Sequence, residues 1–400
     1  MSTVEPLGVG LIGAGFAANI HAQAYQRVQG VPVRVVAVAA RREESVRRFA
    51  EKYDIPYATT DWQEILARED VQLVDLCVPV YLHAEMAIAA AQAGKHVACE
   101  KPLTGYCGEG QEGELLGQTV PKRKMYQQAV AQAEAMVQAA QEHGVQLMYA
   151  ENWIYAPAIA KARRLIKAAG GTILDLRAEE SHSGSHSPYS LQWRTSGGGS
   201  LMRLGSHPLG AVLHLKRYEG QLRDGHPIVP VAVTAEVAHL TRIESFQREA
   251  KKWLVTGWQD VEDWASCIVT FSDGSRALIT AADTVLGGIQ NRLEVYLSNA
   301  RINCHLNPNN ACEAYAPEGE VFGEEYLAEK LETKAGRSYP SIDEDFLSGY
   351  PQEIQDFVEA AVGNRPALSD GELGREVVQV IYAAYRSAEE GQRVYLRGQE

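Results

Sequence analysis

A glycine-rich turn between an apolar run and a helical pattern constrains this fold more than any other feature of the chain. Val9 to Ile12 predicts a buried strand, and a helix is predicted over Phe16 to Gln29 directly after the turn. Gly13 permits a tight turn, Gly15 lets the backbone approach a pyrophosphate, and Ala18 lets the helix pack closely on the strand. The start of the helix offers free N–H groups to phosphates. The pattern predicts dinucleotide binding; a glycine turn that serves only packing is the alternative.

Strands and helices continue to alternate through residues 1–150, which is typical of a parallel, doubly wound sheet, a Rossmann-type α/β domain. Residues 106–124 interrupt this alternation with four glycines and a basic run. Such an insertion is either a functional lid or a disordered surface loop. The further predicted strands are Val33 to Ala39, Val71 to Val78, His96 to Cys99 and Val145 to Ala150, and the helices between them include Glu43 to Tyr53, Ala84 to Ala93 and Tyr126 to Glu142.

Residues 151–400 have a different pattern, in which strands follow one another and few helices are expected between them. Asp273 and Gly274 predict a hairpin turn. This half is therefore expected to form a C-terminal α+β domain on a large, mostly antiparallel open sheet, closed by helices over Gln352 to Val362 and Glu372 to Ala388. The predicted strands are Ile173 to Glu179, Val231 to His239, Ala265 to Phe271, Arg276 to Ala281, Arg292 to Leu297 and Ala300 to Cys304.

The composition excludes several classes of function. Asp and Glu number 51 against 38 Lys and Arg, a formal net charge of −13, which argues against a nucleic-acid binder but leaves room for a local basic pocket. No run of apolar residues reaches the length of about 18 that a membrane span requires. The six cysteines show neither CxxC pairs nor zinc spacing. We expect reduced thiols in a cytoplasmic protein, without a membrane or nucleic-acid partner.

The end of the second strand is where a dinucleotide-binding domain reads the adenosine ribose. An acidic residue there favours NAD, and an arginine suits the 2′-phosphate of NADP. Here Arg41 and Arg42 follow Ala40, at the place where the acidic residue would stand, and the next acidic residue is Glu43. Guanidinium groups match phosphate geometry. The cofactor is therefore expected to be NAD or NADP, with NADP slightly preferred, unless the two arginines only begin a solvated helix.

Glu100, Lys101 and Pro102 follow a predicted parallel strand, at the edge of the sheet where ligands bind. A lysine at this place can donate a hydrogen bond to a substrate oxygen or take part in proton transfer. An exposed lysine at an ordinary turn is the alternative that the residues alone leave open.

The stretch Ala93 to Leu103 closely resembles the Glu-Lys-Pro signature of the glucose–fructose oxidoreductase and inositol dehydrogenase (Gfo/Idh/MocA) family. The resemblance implies a pyridine-nucleotide oxidoreductase that acts on sugars, inositols or related polyols. It also implies a last helix that packs back on the first domain, and a C-terminal sheet that forms homodimers or homotetramers. Other similar segments are Gly8 to Ala18, Val71 to His83, Gly197 to Gly199 with Gly205 and His207, and Ala383 to Val394.

The resemblance also implies roles for individual residues. Lys101 corresponds to the lysine that binds substrate and relays a proton, and His207 to the catalytic histidine that takes the hydroxyl proton. Imidazole suits this role because its pKa lies near working pH. Without the family, His207 before Pro208 reads as a turn or core residue. The residues assigned to the cofactor are Gly13, Gly15, Phe16, Ala18, Arg41, Arg42, Pro79, His83, Glu100 and Lys101.

Two positions depart from the family pattern. Arg203 stands where the family usually has an aspartate four residues before the histidine, and Val80 replaces a polar residue after Pro79. Arg203 can bind an anionic group of the substrate, serve a structural role, or mark lost or altered catalysis. These three interpretations stay open at the level of sequence.

Other polar groups follow the last strand of the first domain or lie in the second. Asn152 and Tyr155 are expected to contact the substrate, with Trp153 either stacking on it or filling core. Trp193 and Arg194 extend this substrate set, which also contains Lys101, Arg203 and His207. His182 and His186 could join His207 and Glu180 at a metal ion, but a polar substrate loop is preferred and no metal is expected.

The function expected from these patterns is hydride transfer between nicotinamide and a hydroxyl-bearing carbon of a sugar, inositol or related polyol, with neutral and anionic polyols both allowed. One alternative is a redox-neutral enzyme that oxidises a sugar hydroxyl transiently, eliminates a glycosidic group and returns the hydride. A non-catalytic nucleotide-binding protein is the other. The sequence does not separate these three.

Overall fold

The glycine turn lies in the first of two units into which the chain divides in the computed structural model, which describes residues 5–109 and 115–396. The first unit comprises Met1–Gly105, Gln128–Tyr155 and Gly349–Val378. The second comprises Tyr106–Gln127, Ala156–Ser348 and Gln379–Glu400. Each unit is therefore built from separate stretches of chain, a division finer than the single boundary near residue 150.

The first unit contains a six-stranded sheet in which every strand pairs in parallel with its neighbours. Its central strands are apolar and buried, because helices cover both faces of such a sheet. The strands are β1 (Leu7–Ile12), β2 (Val33–Ala39), β3 (Tyr57–Thr59), β4 (Leu73–Leu76), β5 (His96–Glu100) and β6 (Leu147–Ala150); the helices among them and in the insertion are α1 (Phe16–Tyr25), α2 (Glu43–Tyr53), α3 (Trp62–Leu66), α4 (His83–Gln92), α5 (Leu116–Thr119) and α6 (Lys122–Glu142).

The order of these strands is β3-β2-β1-β4-β5-β6. The direction of the order reverses between β1 and β4, and ligands of doubly wound sheets bind outside the carboxyl ends of the strands at this point. The predicted Rossmann sheet is thus confirmed, and the ends of β1, β2, β4 and β5 present the candidate cofactor residues.

The second unit is built on a seven-stranded sheet of order β12-β11-β7-β10-β9-β8-β15, in which only β7 and β10 pair in parallel. The mostly antiparallel sheet was predicted correctly, as was the hairpin at Asp273 and Gly274. The strands are β7 (Ile173–Ser181), β8 (Pro230–Ala238), β9 (Trp264–Phe271), β10 (Arg276–Ala282), β11 (Gln290–Leu297), β12 (Arg301–Asn307) and β15 (Val394–Tyr395), and β13 (Ala314–Ala316) pairs with β14 (Gly336–Ser338).

The expectation of few helices in this half was wrong, because it contains two long helices, α7 (Pro157–Ala169) and α10 (Ser206–Asp224). Of these, α10 packs against β7 and α7 against β12. Most of α10 is buried, including charged Lys216 and Glu219, so its sequence lacks the one-sided apolar stripe of a surface helix. The remaining helices are α8 (Trp193–Ser196), α9 (Ser200–Arg203), α11 (Glu244–Gln247), α12 (Glu344–Ser348), α13 (Tyr350–Gly363) and α14 (Gly371–Glu390). Within the described residues, no helix combines the length and the apolar character that crossing a bilayer demands.

Candidate functional site

The turn after β1 has the geometry that a dinucleotide pyrophosphate requires. Gly13 has a φ of 126°, and a Cβ there would lie 2.2 Å from the carbonyl oxygen of Cys77. A Cβ on Gly15, in contrast, would meet no atom within 4 Å. Gly15 precedes the first turn of α1, so the space beside it faces free N–H groups. Ala18 is fully buried in the core behind this turn, whereas Phe16 is exposed.

The arginines after β2 are exposed on the surface of the first unit. Arg42 precedes the first residue of α2 in an extended conformation. Neither the Arg41 nor the Arg42 side chain makes a hydrogen bond or ion pair with any described residue, whereas Arg47 of α2 pairs with Glu43. Both guanidinium groups are therefore available to an external anion.

The ends of β4 and β5 are tied together by a buried histidine. His83 places Nδ1 2.9 Å from the Pro102 carbonyl oxygen and Nε2 2.8 Å from that of Val78. Burial lowers the pKa of His83. Because both of its ring nitrogens face backbone carbonyls, His83 supports the turn that contains Lys101. At the start of that turn, the Lys101 backbone N–H donates to Glu100 Oε2 at 2.8 Å.

The residues after β6 are buried in the first unit. The Tyr155 hydroxyl donates to Asp356 Oδ2 at 2.8 Å and accepts from the Ser369 backbone N–H at 3.0 Å. Asn152 and Trp153 are also buried. The contacts of Tyr155 explain its place in the structure without a ligand, and the burial of Trp153 agrees with core packing.

In the second unit, the glycine-rich turn before α9 is held by a buried carboxylate that the sequence did not reveal. Glu262 accepts hydrogen bonds from the backbone N–H groups of Gly199 at 3.0 Å and Leu201 at 2.9 Å, and from the Tyr385 hydroxyl at 2.8 Å. A Cβ on Gly199 would lie 2.0 Å from the Glu262 carbonyl oxygen. Burial raises the pKa of Glu262 to about 7. The turn leads directly into the short helix that contains Arg203.

Two neighbours of Glu262 fix further loops through the same kind of contact. Asp260 accepts from the backbone N–H groups of Gly117 and Trp193 at 2.9 and 2.8 Å. Asp263 accepts from those of Leu240 and Thr241 at 2.6 and 2.9 Å. Residues 260–263 thus anchor several loops of the second unit.

Arg203 is buried and forms an ion pair with Asp283. Its guanidinium carbon also lies 4.9 Å from the centre of the Trp258 ring. The side chain therefore has an internal counter-charge, which agrees with the structural interpretation of Arg203. His207 lies in the first turn of α10 and is also buried.

Trp193 and Arg194 contact the described parts of the 106–124 insertion. The Trp193 indole N–H donates to the Tyr106 carbonyl at 3.1 Å, and Arg194 donates to that of Gly108 at 3.3 Å. The Trp193 ring also packs against Tyr385, with ring centres 4.8 Å apart. These parts of the insertion are anchored on the second unit, while residues 110–114, which the lid and loop interpretations also cover, lie outside the described chain.

The predicted alternative metal cluster does not assemble among the described residues. His182 is buried and its Nδ1 accepts from the Gly184 N–H at 2.9 Å, whereas His186 is exposed. In the described chain, the one group of three potential ligands with atoms within 4.8 Å of one another is His21, Asp75 and Cys77, in the first unit.

Several residues that matter to this geometry were not predicted: Glu262, Asp260, Asp283 and His21. Their partners are far away in sequence, for example 63 residues between Glu262 and Gly199 and 80 between Arg203 and Asp283. The one available signal was local, since Asp260, Glu262 and Asp263 form an acidic cluster directly before an apolar strand.

Comparison with known proteins places both halves of the chain in one family. Residues 7–124 match the NAD-binding Rossmann fold of the GFO/IDH/MocA oxidoreductase family, and residues 159–303 match a C-terminal domain of the same family. Myo-inositol 2-dehydrogenase of Thermotoga maritima is 23% identical over 390 residues, covering 97% of this chain and 98% of that protein.

A second relative is more similar over a shorter region. Levoglucosan dehydrogenase of Pseudarthrobacter phenanthrenivorans is 33% identical over 228 residues, 54% of this chain. That match spans about half of the relative, 51% of its length.

Solved structures extend the likeness over the whole fold. GenD2 from gentamicin A biosynthesis, in complex with NAD, has a TM-score of 0.79 at 26% identity and covers 99% of this chain and 97% of its own. Levoglucosan dehydrogenase with NADH and levoglucosan has a TM-score of 0.72 at 22% identity and covers 98% and 100% of the two chains.

Proposed function

The chain belongs to the GFO/IDH/MocA family of oxidoreductases with an NAD-binding Rossmann fold, and from that premise we propose that it is a dehydrogenase of a neutral sugar, inositol or related polyol. The observation that carries this proposal is the Glu100–Lys101–Pro102 turn at the carboxyl end of β5, in the sheet that also presents the glycine turn. Gly13, Gly15 and the start of α1 fit a pyridine dinucleotide, which supplies a hydride acceptor when bound.

The proposal assigns two residues to the chemistry. Lys101 donates a hydrogen bond to the substrate oxygen and stabilises the negative charge that develops there. His207 accepts the hydroxyl proton as hydride leaves the carbon. Support comes from the match of Lys101 and His207 to the family motifs and from the two supported turns, near Glu100 and near Gly199, that precede them in the chain.

The preference for a neutral substrate rests on Arg203. Asp283 already pairs with this guanidinium, and its negative charge reduces the attraction that Arg203 exerts on a carboxylate or sulfonate. Arg203 lies four residues before His207, and together with Asp283 it forms a pair that has no net charge. We therefore favour an uncharged polyol over the anionic one that Arg203 alone suggested.

The finer choice of cofactor rests on Arg41 and Arg42. Both are exposed after β2, and neither has an acidic partner among the described residues. A 2′-phosphate would give these cations a charged ligand. We propose that NADP is preferred slightly over NAD.

We also propose that a second copy of the chain covers the outer face of the seven-stranded sheet. Ile268 on β9 and Leu278 on β10 are exposed there and lie opposite each other in the strand register. Adjacent exposed apolar side chains of this kind mark association surfaces. Light scattering at several concentrations measures the resulting homodimer or homotetramer.

The experiment that tests the function follows reduced nicotinamide while the protein reacts with NAD or NADP and a panel of inositols, sugars, sugar acids and glycosides. A dehydrogenase accumulates many equivalents of reduced cofactor per site. A redox-neutral enzyme consumes the sugar without exceeding one equivalent, and a non-catalytic protein binds cofactor without consuming any substrate. We expect Lys101→Ala to lower kcat by about 10²- to 10³-fold, the usual loss when a donor that stabilises the developing negative charge is removed. Full turnover by Lys101→Ala would refute the assigned role.

A further inference from the structure

A buried histidine on α1 joins two carboxylates inside the first unit. The Nδ1 atom of His21 lies 2.9 and 3.1 Å from the two carboxylate oxygens of Asp75 on β4. Its Nε2 atom lies 3.3 Å from Glu100 Oε1, at the end of β5. The length of this second contact fits an ion pair. Its atoms are not aligned for a hydrogen bond, and Nε2 has no hydrogen-bond partner among the described residues. One imidazole thus faces an acid on each side.

The groups around this arrangement include a hydroxyl, a thiol and further acids. The Tyr25 hydroxyl donates to Asp75 Oδ2 at 3.0 Å, and the Cys77 sulfur lies 3.5 Å from His21 Nδ1. Burial raises the pKa values of both Tyr25 and Cys77, so neither adds a negative charge at neutral pH. Glu353 of α13 is fully buried, and burial raises its pKa well above the usual range, to which the nearby acid Glu151 adds.

The contacts of the ring favour one state of His21. Both ring nitrogens face a carboxylate oxygen, at 2.9 and 3.3 Å, and only the doubly protonated imidazole presents an N–H to each of them. Burial alone lowers the pKa of His21, but the charge of Asp75 and its hydrogen bond outweigh burial and raise that pKa well above the usual value. Contact geometry and the direction of this pKa therefore agree on an imidazolium.

We propose that His21 is an imidazolium cation that positions the Glu100–Lys101–Pro102 turn by binding Glu100 from inside the sheet. Glu100 then connects His21 at one oxygen with the Lys101 backbone N–H at the other, at 2.8 Å. Because α1 also begins at the glycine turn, the cation links the nucleotide-binding helix to the turn that contains Lys101. The positioning role rests on the proposed function, whereas the charge of His21 does not.

The charge is measured by NMR of the protein labelled with ¹⁵N-histidine. At neutral pH, we expect both ring nitrogens of His21 to show imidazolium shifts, with the signal identified by its loss in His21→Gln. In Asp75→Asn the ring loses its strongest counter-charge and is expected to become neutral, whereas Tyr25→Phe removes only one neutral donor and leaves the ring charged. A neutral His21 ring in the unaltered protein overturns the proposal. So does one equivalent of bound metal in elemental analysis, because His21, Asp75 and Cys77 would then be its ligands.

The positioning role is measured by hydrogen exchange and by kinetics. In His21→Gln we expect faster exchange of the Lys101 amide, with unchanged exchange in the strands of the second unit. We also expect kcat to fall by up to about 10²-fold, the loss that a displacement near 1 Å can cause, while cofactor affinity changes by less than about threefold. His143→Gln, an exposed histidine of the same unit, is the matched control and is expected to change none of these.

A double-mutant cycle separates positioning from a general loss of stability. In the Glu100→Gln background the carboxylate that His21 binds is already neutral, so His21→Gln should cost much less activity there than in the unaltered protein. Additive losses, or unchanged Lys101 exchange in a folded His21→Gln protein, overturn the positioning role. If the unaltered protein turns over no substrate of the panel, the proposed function fails, while the NMR and exchange results still decide the proposal about His21.

Discussion

Each unit of the chain supports a turn with a carboxylate, half-buried in the first unit and buried in the second, but the two carboxylates have different kinds of partner. In the first unit, Glu100 lies 3.3 Å from the His21 ring and accepts the Lys101 N–H. In the second unit, Glu262 accepts two backbone N–H groups and the Tyr385 hydroxyl, which are all neutral donors. The turn of the first unit is thus supported by a charged side chain, and the turn of the second unit by neutral N–H and O–H donors.

The difference shows in how each acid responds to burial. Neutral donors offset only part of the desolvation of a carboxylate, so the pKa of Glu262 is raised to about 7. A cation next to a carboxylate offsets more, but it must itself be kept charged, and Asp75 does this for His21. Support by backbone donors is therefore pH-sensitive near neutrality, whereas support by an ion pair depends on an intact set of charges.

The largest expected effect comes from breaking the buried ion pair between Arg203 and Asp283 in the second unit. Asp283→Asn leaves the Arg203 guanidinium buried without its counter-charge. We expect the free energy of unfolding to fall by about 3–5 kcal/mol, the usual cost of breaking a buried pair from one side. Chemical denaturation measures this loss.

The matched control replaces both members of the pair. Arg203→Met with Asp283→Leu removes both charges together and is expected to lose clearly less stability than Asp283→Asn. Equal losses in the two proteins would mean that packing, and not charge, is what Arg203 contributes.

Much of the first unit was predictable, and the reasons are local. Gly13, Gly15 and Ala18 act within a few residues of one another, and the apolar runs of β1 and β4 identify buried parallel strands without any partner being known. The carboxyl end of β5 then places Lys101 at the ligand edge of the sheet. In this unit, the residues that form the predicted turns are close together in the sequence as well as in space.

The second unit was less predictable because its determinants are contacts between distant residues. For Arg203 an anionic ligand, a structural role and altered catalysis all stayed open, because its counter-charge Asp283 lies 80 residues later. Tyr385 binds Glu262 across 123 residues. The helix α10 was missed because burial on most sides removes the amphipathic pattern by which helices are recognised. Neither spacing nor composition contains this information.

A smaller effect is expected in the pH dependence of the free energy of unfolding, and it concerns Glu262. Since the pKa of Glu262 is raised from 4.5 to about 7 in the folded protein, the folded state binds the extra proton between these values. Its contribution to stability is present at low pH and is lost as pH rises through about 7, by about 3 kcal/mol in total. Glu262→Gln cannot titrate, so this part of the pH dependence should disappear.

The measurement is the difference in unfolding free energy between the unaltered protein and Glu262→Gln at a series of pH values. All other titrating groups are shared, so the difference isolates Glu262. A difference that stays constant between pH 4.5 and pH 7 would show that the carboxylate keeps an ordinary pKa, and that the backbone N–H groups compensate for burial as fully as a cation does.

The smallest expected effect is on cofactor affinity, and it concerns two arginines whose proposed partner is a ligand and not another residue of the protein. Arg41 and Arg42 are exposed after β2 and have no internal partner among the described residues, while Arg47 of α2 pairs with Glu43. If the first two bind a 2′-phosphate, Arg41→Ala with Arg42→Ala should weaken NADP binding by about 10- to 100-fold, as expected for charge-assisted hydrogen bonds worth about 1.5–3 kcal/mol.

Binding of NAD should change little in the same double variant, and Arg47→Ala should leave both affinities unchanged. Cofactor titration by fluorescence gives all four values. An equal loss for NAD and NADP would place the two arginines at the shared part of the dinucleotide, and no loss for either would make them surface charges at the start of α2. Either result would refute the assignment of Arg41 and Arg42 to the 2′-phosphate, and with it the slight preference for NADP.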